Sequence, residues 1–363
     1  MADVVNKIVE SGQRANQRND VGIALRTGLD PTGADQCQIL ANQISGFGLA
    51  GIAIFFPARD LIVKLNIVEQ CGSGIISAED ASSDSVSIEN NVVNDIGGVG
   101  DAPAFGVVGI GVARAAAATI SGNTLRRIGQ ADVSAPLCAG ILAASVQRLR
   151  ASGNDVVDVA PPVDFVGVAA GLMLRAPYSL AEVTLNYIAR DGQASSQVSR
   201  SQWYAVLVDQ PMGDRTVSRL GTYAAVKIDD ARTLVFGAKR PYVVAAQSLS
   251  DAAGAVVVRG ASASVLGNTL IARGATPAVD VVAPGDCLFN DNRCELRSAA
   301  DAPAVRLAAG ATIVNANRVL SGQIAIQLLG NTKRVTVVGN ITTGVILAGG
   351  ALPAPWDTLN VLG

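Results

Sequence analysis

Apolar residues recur along most of the chain in a short pattern centred on an asparagine. Counted from that asparagine, small or apolar residues mostly occupy positions −5, −3 and +2, as Val86, Ile88 and Val93 do around Asn91. The two-residue alternation before the asparagine predicts a strand with one buried face. The three-residue step across the asparagine predicts a bend that joins two short strands.

The spacing of these asparagines indicates a repeat. Consecutive members of the first group are 25, 32, 31 and 32 residues apart, and those of the second group 24, 25 and 23. A period in the low twenties suits one turn of a three-sided β-solenoid, with loops of roughly eight extra residues in the longer coils. The positions are Asn66, Asn91, Asn123, Asn154, Asn186, Asn268, Asn292, Asn317 and Asn340.

The phase of the repeat is poor between Asn186 and Asn268. We expect at least two coils there, with Ala238 where an asparagine would stand, and the register of residues 190–260 stays open. Asparagine suits the bend because it tolerates left-handed backbone and its amide can bond to neighbouring groups. Stacked from coil to coil, these amides would form an asparagine ladder that satisfies buried polar groups.

Composition agrees with a narrow, layered interior rather than a large irregular core. The chain of 363 residues is 49% hydrophobic but only 4% aromatic, and it contains 38 glycines. Mean hydropathy is high at +0.36. The best apolar stretch, Gly46–Ala58, is interrupted by glycines and is too short for a spanning helix, so we expect no membrane insertion.

Charge and residue usage exclude several classes of function. The net charge of −2 offers no basic surface for nucleic acid, and the absence of histidine removes the commonest general base. The start Met1-Ala2-Asp3 lacks a signal-peptide pattern, which predicts cytoplasmic synthesis without a Sec signal. Release as part of an extracellular particle stays open.

These repeats resemble those of the pectate-lyase-like superfamily, which also includes phage tailspikes. The resemblance extends roughly from Gly51 to Ala348. It implies an all-β fold, a single-stranded right-handed parallel β-helix of about ten coils. It specifies the architecture far better than the activity, because this fold carries out many functions.

The ends of the solenoid are expected to be capped. Residues 1–50 would form an N-terminal cap with short helices, residues 51–348 the β-helix, and residues 349–363 a tail folded over the last coil. A capping helix is predicted over Asp35–Ile44, with Asp35 as N-cap, and Val4–Val9 would form another short amphipathic piece. Residues at helical spacing in the first of these are Cys37, Leu40, Ala41 and Ile44.

The carbohydrate-active motifs of the superfamily are mostly missing. Polygalacturonase-like hydrolases carry NTD, DD, GHG and RIK motifs, whereas this chain has only the pair Asp229-Asp230. Together with Lys227, this pair is a possible ligand-contact cluster, or else a solvated face with local ion pairs. Trp203 and Tyr204 are candidates for stacking on a sugar ring, or else residues that fill a coil. No catalytic residue, metal ligand or cofactor is predicted.

The five cysteines are interpreted as buried thiols. Cys287 and Cys294 stand at −5 and +2 from Asn292, where apolar residues stand in other coils. Free cysteine behaves as a small hydrophobe at such positions. The alternatives to buried free thiols are a disulfide between Cys287 and Cys294 or a metal site.

Three functions remain compatible with the sequence. The favoured one is a structural component of a larger assembly, such as a phage-tail-like particle, a spike or a stacked filament, built by trimerisation, end-to-end stacking or contact with other subunits. The second is a glycan-binding or receptor-binding module. The third is a polysaccharide lyase or hydrolase with an atypical site, so whether the chain is an enzyme stays uncertain.

Overall fold

The fold of the described residues is all-β. The structure is a computed structural model that describes residues 3–4, 7–9, 21–25, 34–77, 83–97, 106–129, 137–159, 167–175, 178, 180–189, 202–208, 241–243, 254–259, 262–272, 276–297, 301–330, 334–350 and 354–362. No α-helix occurs in these ranges. The chain divides into two compact units, residues 1–178 with 191–202, and residues 179–190 with 203–363.

Strands of the first unit pair in parallel in three rows. The leading row is β3, β6, β9, the first halves of β12 and β14, and β16; the middle row is β1, β4, β7, β10 and the second halves of β12 and β14; the trailing row is β2, β5, β8, β11, β13 and β15. These are β1 (Asp3–Val4), β2 (Lys7–Val9), β3 (Val21–Leu25), β4 (Ala34–Leu40), β5 (Gln43–Ser45), β6 (Ala50–Ile54), β7 (Ala58–Lys64), β8 (Ile67–Glu69), β9 (Ser73–Ser77), β10 (Ser83–Glu89), β11 (Val92–Ile96), β12 (Val107–Ser121), β13 (Thr124–Ile128), β14 (Leu137–Ser152), β15 (Asp155–Val159) and β16 (Val168–Arg175).

The second unit repeats this arrangement. Its leading row contains β19, β21, the first parts of β24 and β26, β28 and β31; its middle row contains β22, the second parts of β24 and β26, and β29; its trailing row contains β18, β20, β23, β25, β27, β30 and β32. The strands are β17 (Leu180–Thr184), β18 (Tyr187–Ala189), β19 (Gln202–Val208), β20 (Pro241–Val243), β21 (Gly254–Arg259), β22 (Ala263–Leu266), β23 (Thr269–Ala272), β24 (Val279–Asn290), β25 (Arg293–Leu296), β26 (Val305–Asn315), β27 (Arg318–Leu320), β28 (Ile324–Gly330), β29 (Val335–Val338), β30 (Ile341–Thr342), β31 (Val345–Ala348) and β32 (Val361–Leu362).

The core is built of columns in which equivalent residues of successive coils lie side by side. Val86 pairs in register with Leu61 on one side and Ala118 on the other, and all three are at most 3% exposed. The +2 residues Val68 and Val93 are fully buried in the trailing row. Parallel strands stacked in this way are compatible with a β-solenoid, and the buried −5, −3 and +2 positions explain the apolar pattern of the sequence.

The helix predicted over Asp35–Ile44 is wrong, because this segment forms strands β4 and β5. Strand β4 pairs with β7, which places Cys37 beside Leu61 and Ile39 beside Val63. Two apolar residues satisfy both periods, because Cys37 and Ile44 fit the helical spacing and also stand, together with Ile39, at −5, +2 and −3 from Asn42. Pairing with the next coil satisfies the backbone groups of this segment, so strand prevails over helix. The piece predicted over Val4–Val9 likewise contains strands β1 and β2.

The trailing row also corrects the register between Asn186 and Asn268. Ala189 of β18 pairs with Val243 of β20, and Pro241 of β20 pairs with Thr269 of β23. Two leading strands, β19 and β21, lie between Asn186 and Asn268 and pair with each other, which is compatible with the at least two coils predicted there. Counting back from Pro241, the sequence position opposite Asn268 is residue 240, an arginine, and not Ala238.

Left-handed backbone occurs at the bend, but one residue earlier than expected. The residue before each of these asparagines has φ between 54° and 69°, and the asparagine itself does not. The amide of the asparagine therefore serves the ladder, and its neighbour makes the turn. These left-handed residues are Ala41, Leu65, Asn90, Gly122, Gly153, Leu185, Gly267, Asp291, Ala316 and Gly339.

Substitutions at two of these bends should have opposite effects on stability. Leu65 (φ 60°) is 56% exposed, so Leu65→Gly sacrifices little burial and relieves a backbone cost of about 1–2 kcal/mol. After the greater chain entropy of glycine is subtracted, we expect a gain of about 0.5 kcal/mol. Gly153→Ala should cost about 1 kcal/mol, because φ is 64° although a Cβ there has open space. The urea midpoints of the two variants would measure both effects. Shifts of the same sign in the two variants would contradict the left-handed backbone assigned to both residues.

Glycines in the leading row of the first unit leave room for the +2 side chains of the trailing row. A Cβ on Gly74 would lie 2.2 Å from the carbonyl oxygen of Gly109 and 2.6 Å from Cγ1 of Val93. A Cβ on Gly109 would lie 2.7 Å from the carbonyl oxygen of Gly140 and 2.7 Å from a methyl of Leu125. The glycines thus permit a close approach of one side of the coil to another.

Candidate functional site

Hydrogen bonds between asparagine side chains join successive coils in both units. Nδ2 of Asn91 donates to Oδ1 of Asn123 at 3.0 Å, and Nδ2 of Asn123 donates to Oδ1 of Asn154 at 3.0 Å. The same Oδ1 atoms accept the backbone N–H groups of Asn91 and Asn123. These bonds fit an asparagine ladder. In the second unit they run from Asn268 through Asn292 and Asn317 to Asn340.

Most of these amides also bond to a carbonyl oxygen at a strand end of the preceding coil. Nδ2 of Asn123 donates to the carbonyl oxygen of Ile88 at 2.9 Å, and Nδ2 of Asn317 donates to that of Phe289 at 2.8 Å. One asparagine therefore satisfies donors and acceptors at the bends of two coils. Because these side chains are at most 2% exposed, the bonds lie in a region from which water is excluded. Asn186 is buried in the same way.

Two members of the ladder were missed by the sequence pattern. Nδ2 of Asn42 donates to Oδ1 of Asn66 at 2.9 Å, and Nδ2 of Asn340 donates to Oδ1 of Asn360 at 2.8 Å. Asn42 lay within the segment interpreted as a helix. Asn360 lies in the predicted tail, and only its +2 residue, Leu362, matches the apolar pattern.

The ladder of the second unit has an incomplete end at Asn268. Oδ1 of Asn268 is buried and accepts no hydrogen bond from the described residues. In the other rungs this atom accepts two bonds from the preceding asparagine. In the sequence, the residue before Pro241 is an arginine and not an asparagine.

The residues proposed for ligand contact do not form an exposed aromatic surface. Trp203 is 0% exposed and Tyr204 is 7% exposed, both on β19. This burial favours the alternative in which they fill a coil, because a sugar ring needs an accessible aromatic face. Lys227, Asp229 and Asp230 lie outside the described residues.

All five cysteines are free and buried, as the repeat positions predicted. Burial raises the pKa of Cys71 to about 11 and that of Cys287 to about 12, and it raises the pKa of Cys294 still further. These thiols are therefore protonated at neutral pH and behave as small hydrophobes.

Among the described residues, no group of three Cys, Asp or Glu side chains could hold a metal ion. No helix within the same ranges is long and apolar enough to cross a membrane.

A buried carboxylate held between two arginines is the most unusual polar cluster in the described residues. Asp280 of β24 is 5% exposed, and its side chain lies on the strand face opposite the fully buried Val279 and Val281. Oδ2 of Asp280 accepts bonds of 2.6 Å from Nη2 of both Arg259 and Arg306. Oδ1 accepts a bond of 2.9 Å from Nε of Arg306. We call Arg259, Asp280 and Arg306 the ion triad.

The ion triad keeps its carboxylate ionised. Burial by itself would raise the pKa of Asp280, but the hydrogen bonds and charges of Arg306 and Arg259 outweigh it, and the pKa is lowered. The pKa of Arg306 is raised, mainly by its hydrogen bond to Asp280. Asp280 is thus unsuited to donate a proton near neutral pH, and it orients the two guanidinium groups instead.

Comparison of the chain with protein-family models, with curated proteins and with solved structures found no match in any of the three. The ladder and the ion triad must therefore be interpreted from their own chemistry.

Asp280→Asn should destabilise the second unit by about 2–3 kcal/mol. The figure lies below the usual cost of breaking a buried pair because both arginines are partly exposed. A lowered folded-state pKa means that the stabilisation by Asp280 is complete above the ordinary carboxyl pKa, and it is lost as the pH falls through the folded-state value. We therefore expect the wild-type melting temperature to approach that of Asp280→Asn below about pH 4.

The control for this prediction is Asp286→Asn, which changes an exposed carboxylate of the same strand. Melting temperatures measured from pH 2 to pH 7 would compare the three proteins. A difference between wild type and Asp280→Asn that stays constant over this range would contradict the assigned role of Asp280.

Proposed function

We propose that this chain is a right-handed parallel β-helix of about ten coils that resembles the pectate-lyase-like superfamily, and that it serves as a non-catalytic structural component of a larger assembly. The parallel rows and the asparagine hydrogen bonds support the architecture. In each unit, one coil is bonded to the next through backbone and side chains together, which favours a rigid building element.

An exposed apolar column on the leading row of the second unit carries the proposal. Val282 of β24, Ala308 of β26 and Leu329 of β28 lie in register on successive strands. Val282 is 41% exposed and Leu329 is 40% exposed. Contiguous apolar side chains on the surface of a protein commonly mark a contact with another protein. We therefore propose that this apolar column is buried in the assembly, by a second copy of the chain.

The mass of the protein in solution tests this function. Light scattering after size exclusion should give a multiple of 36.9 kDa for the wild type, and electron microscopy of the same fraction should show a defined particle. The double variant Val282→Asp with Leu329→Asp should shift the mass toward the monomer, because two carboxylates would be buried without partners.

Leu65→Asp, which places a charge at an exposed apolar residue of the first unit, is the matched control and should leave the mass unchanged. A wild-type mass of 36.9 kDa at every concentration would overturn the proposal. An oligomer that persists in the double variant would exclude the apolar column as its interface.

A further inference from the structure

Asp280 occupies a position that is apolar in the first unit. Asp280 stands 12 residues before Asn292, just as Leu142 stands 12 residues before Asn154 and Gly111 stands 12 before Asn123. Leu142 is only 8% exposed, and its register partner Met173 is 3% exposed. Apolar side chains can therefore occupy this position of the repeat.

Ionised groups at such a position are not explained by stability alone. Removing a carboxylate from water carries a desolvation cost of several kcal/mol, and apolar side chains of similar volume often give equal or greater stability. The second unit nevertheless places a carboxylate there, between the guanidinium groups of Arg259 and Arg306. A departure of this kind from the local pattern points to a role in binding.

The arrangement leaves hydrogen-bond donors directed away from the carboxylate. Arg306 uses Nε and Nη2 to bind Asp280, and its Nη1 donates to none of the described residues. The side chain of Arg306 is 40% exposed, so a ligand can reach this side chain from the solvent. Gln327 of β28 pairs in register with Arg306 and supplies a side-chain amide on the same face of the row.

We propose that Arg306 and Gln327 bind an oxyanion, and that Asp280 is a positioning residue that holds the guanidinium group of Arg306 in a fixed orientation. Arg259 also donates to Oδ2 of Asp280 and so helps to fix the carboxylate that orients Arg306. A fixed guanidinium group with spare N–H donors suits the oxygen atoms of a carboxylate, a sulfate or a phosphate group.

Calorimetric titration of the full chain with sodium acetate and with sodium sulfate, at constant ionic strength set by sodium chloride, tests the proposal. We expect saturable binding of at least one of the two anions. Arg306→Gln should weaken it by about tenfold or more, the value of one charge-assisted hydrogen bond. Gln327→Ala should weaken it less, by about threefold, because a neutral donor is lost.

The control is Arg318→Gln, which removes an exposed arginine of β27 and should leave the affinity unchanged. Circular dichroism would show whether Arg306→Gln is folded. If it is not, Gln327→Ala still tests the site, because this variant keeps every ion pair of the ion triad. Binding of acetate alone identifies a carboxylate ligand, and binding of sulfate alone a tetrahedral one. No saturable binding of either anion, or equal losses in Arg306→Gln and Arg318→Gln, would overturn the proposal.

Discussion

Asn123→Leu is expected to lower the free energy of unfolding by about 3–5 kcal/mol. Leucine matches the size of asparagine but removes four hydrogen bonds of the side chain. Two N–H groups of Asn91 lose their shared acceptor, and the carbonyl oxygen of Ile88 and Oδ1 of Asn154 each lose a donor. Because these groups are buried, water does not replace the lost partners. Urea unfolding followed by circular dichroism would measure the effect.

The incomplete end of the second ladder supplies a matched control. Among the residues that the structure describes, Asn268→Leu removes one side-chain bond, from Nδ2 to Oδ1 of Asn292, together with an Oδ1 atom that accepts no bond from them. The backbone N–H of residue 268 can still donate to Asn292, as it does in the wild type. We expect a cost of about 1 kcal/mol or less. Equal costs for Asn123→Leu and Asn268→Leu would show that bonds between rungs are not what stabilises the ladder.

Gly74→Ala is expected to cost about 3 kcal/mol or more, or to prevent the accumulation of folded protein. The new methyl group would lie 2.2 Å from the carbonyl oxygen of Gly109, and this backbone atom cannot rotate away. Relief would need a shift of β9 or β12, which share the hydrogen bonds of the leading row. Soluble yield and the urea midpoint of the purified variant would measure the effect.

Gly111→Ala is the control for this prediction, because it lies on β12 two residues after Gly109. A Cβ at Gly111 would meet its nearest neighbour, a methyl of Val108, at 3.4 Å, which is an ordinary contact. We expect no loss of stability, or a small gain from the reduced entropy of the unfolded chain. A similar loss in both variants would show that burial of the row, rather than the close approach at Gly74, sets the cost.

The repeated pattern was sufficient to predict the ladder over most of the chain. A position that must be small or apolar in every coil recurs in the sequence at the period of the coil. An asparagine at a constant distance from such positions marks the bend. The pattern failed at Asn42, because the apolar residues Cys37, Leu40, Ala41 and Ile44 stand at intervals of three, four and seven residues, which also match a helix. It failed again before Asn268, because the coil there has no asparagine to set its phase.

No comparable sequence pattern predicted the ion triad. Its members are 21 and 26 residues apart, and no local motif links Arg259, Asp280 and Arg306. Arg306 is the register partner of Asp280 on β26, and Arg259 lies two residues beyond the register partner of Asp280 on β21, from where its long side chain reaches the carboxylate. The sequence also did not predict whether Trp203 is buried or exposed, since an aromatic residue in a strand can point to either face.

By itself, the sequence determined the all-β class, the coil period and the apolar positions, because each depends on which residues a strand buries, and that preference is local and repeated. The tertiary structure decided which residues meet between coils: that Asn42 belongs to the ladder, that Asn268 lacks a rung before it, and that Asp280 lies between two arginines. These contacts depend on the register between strands distant in the chain. A shift of one residue reverses the face of every side chain, and no local preference fixes it where the loops vary in length.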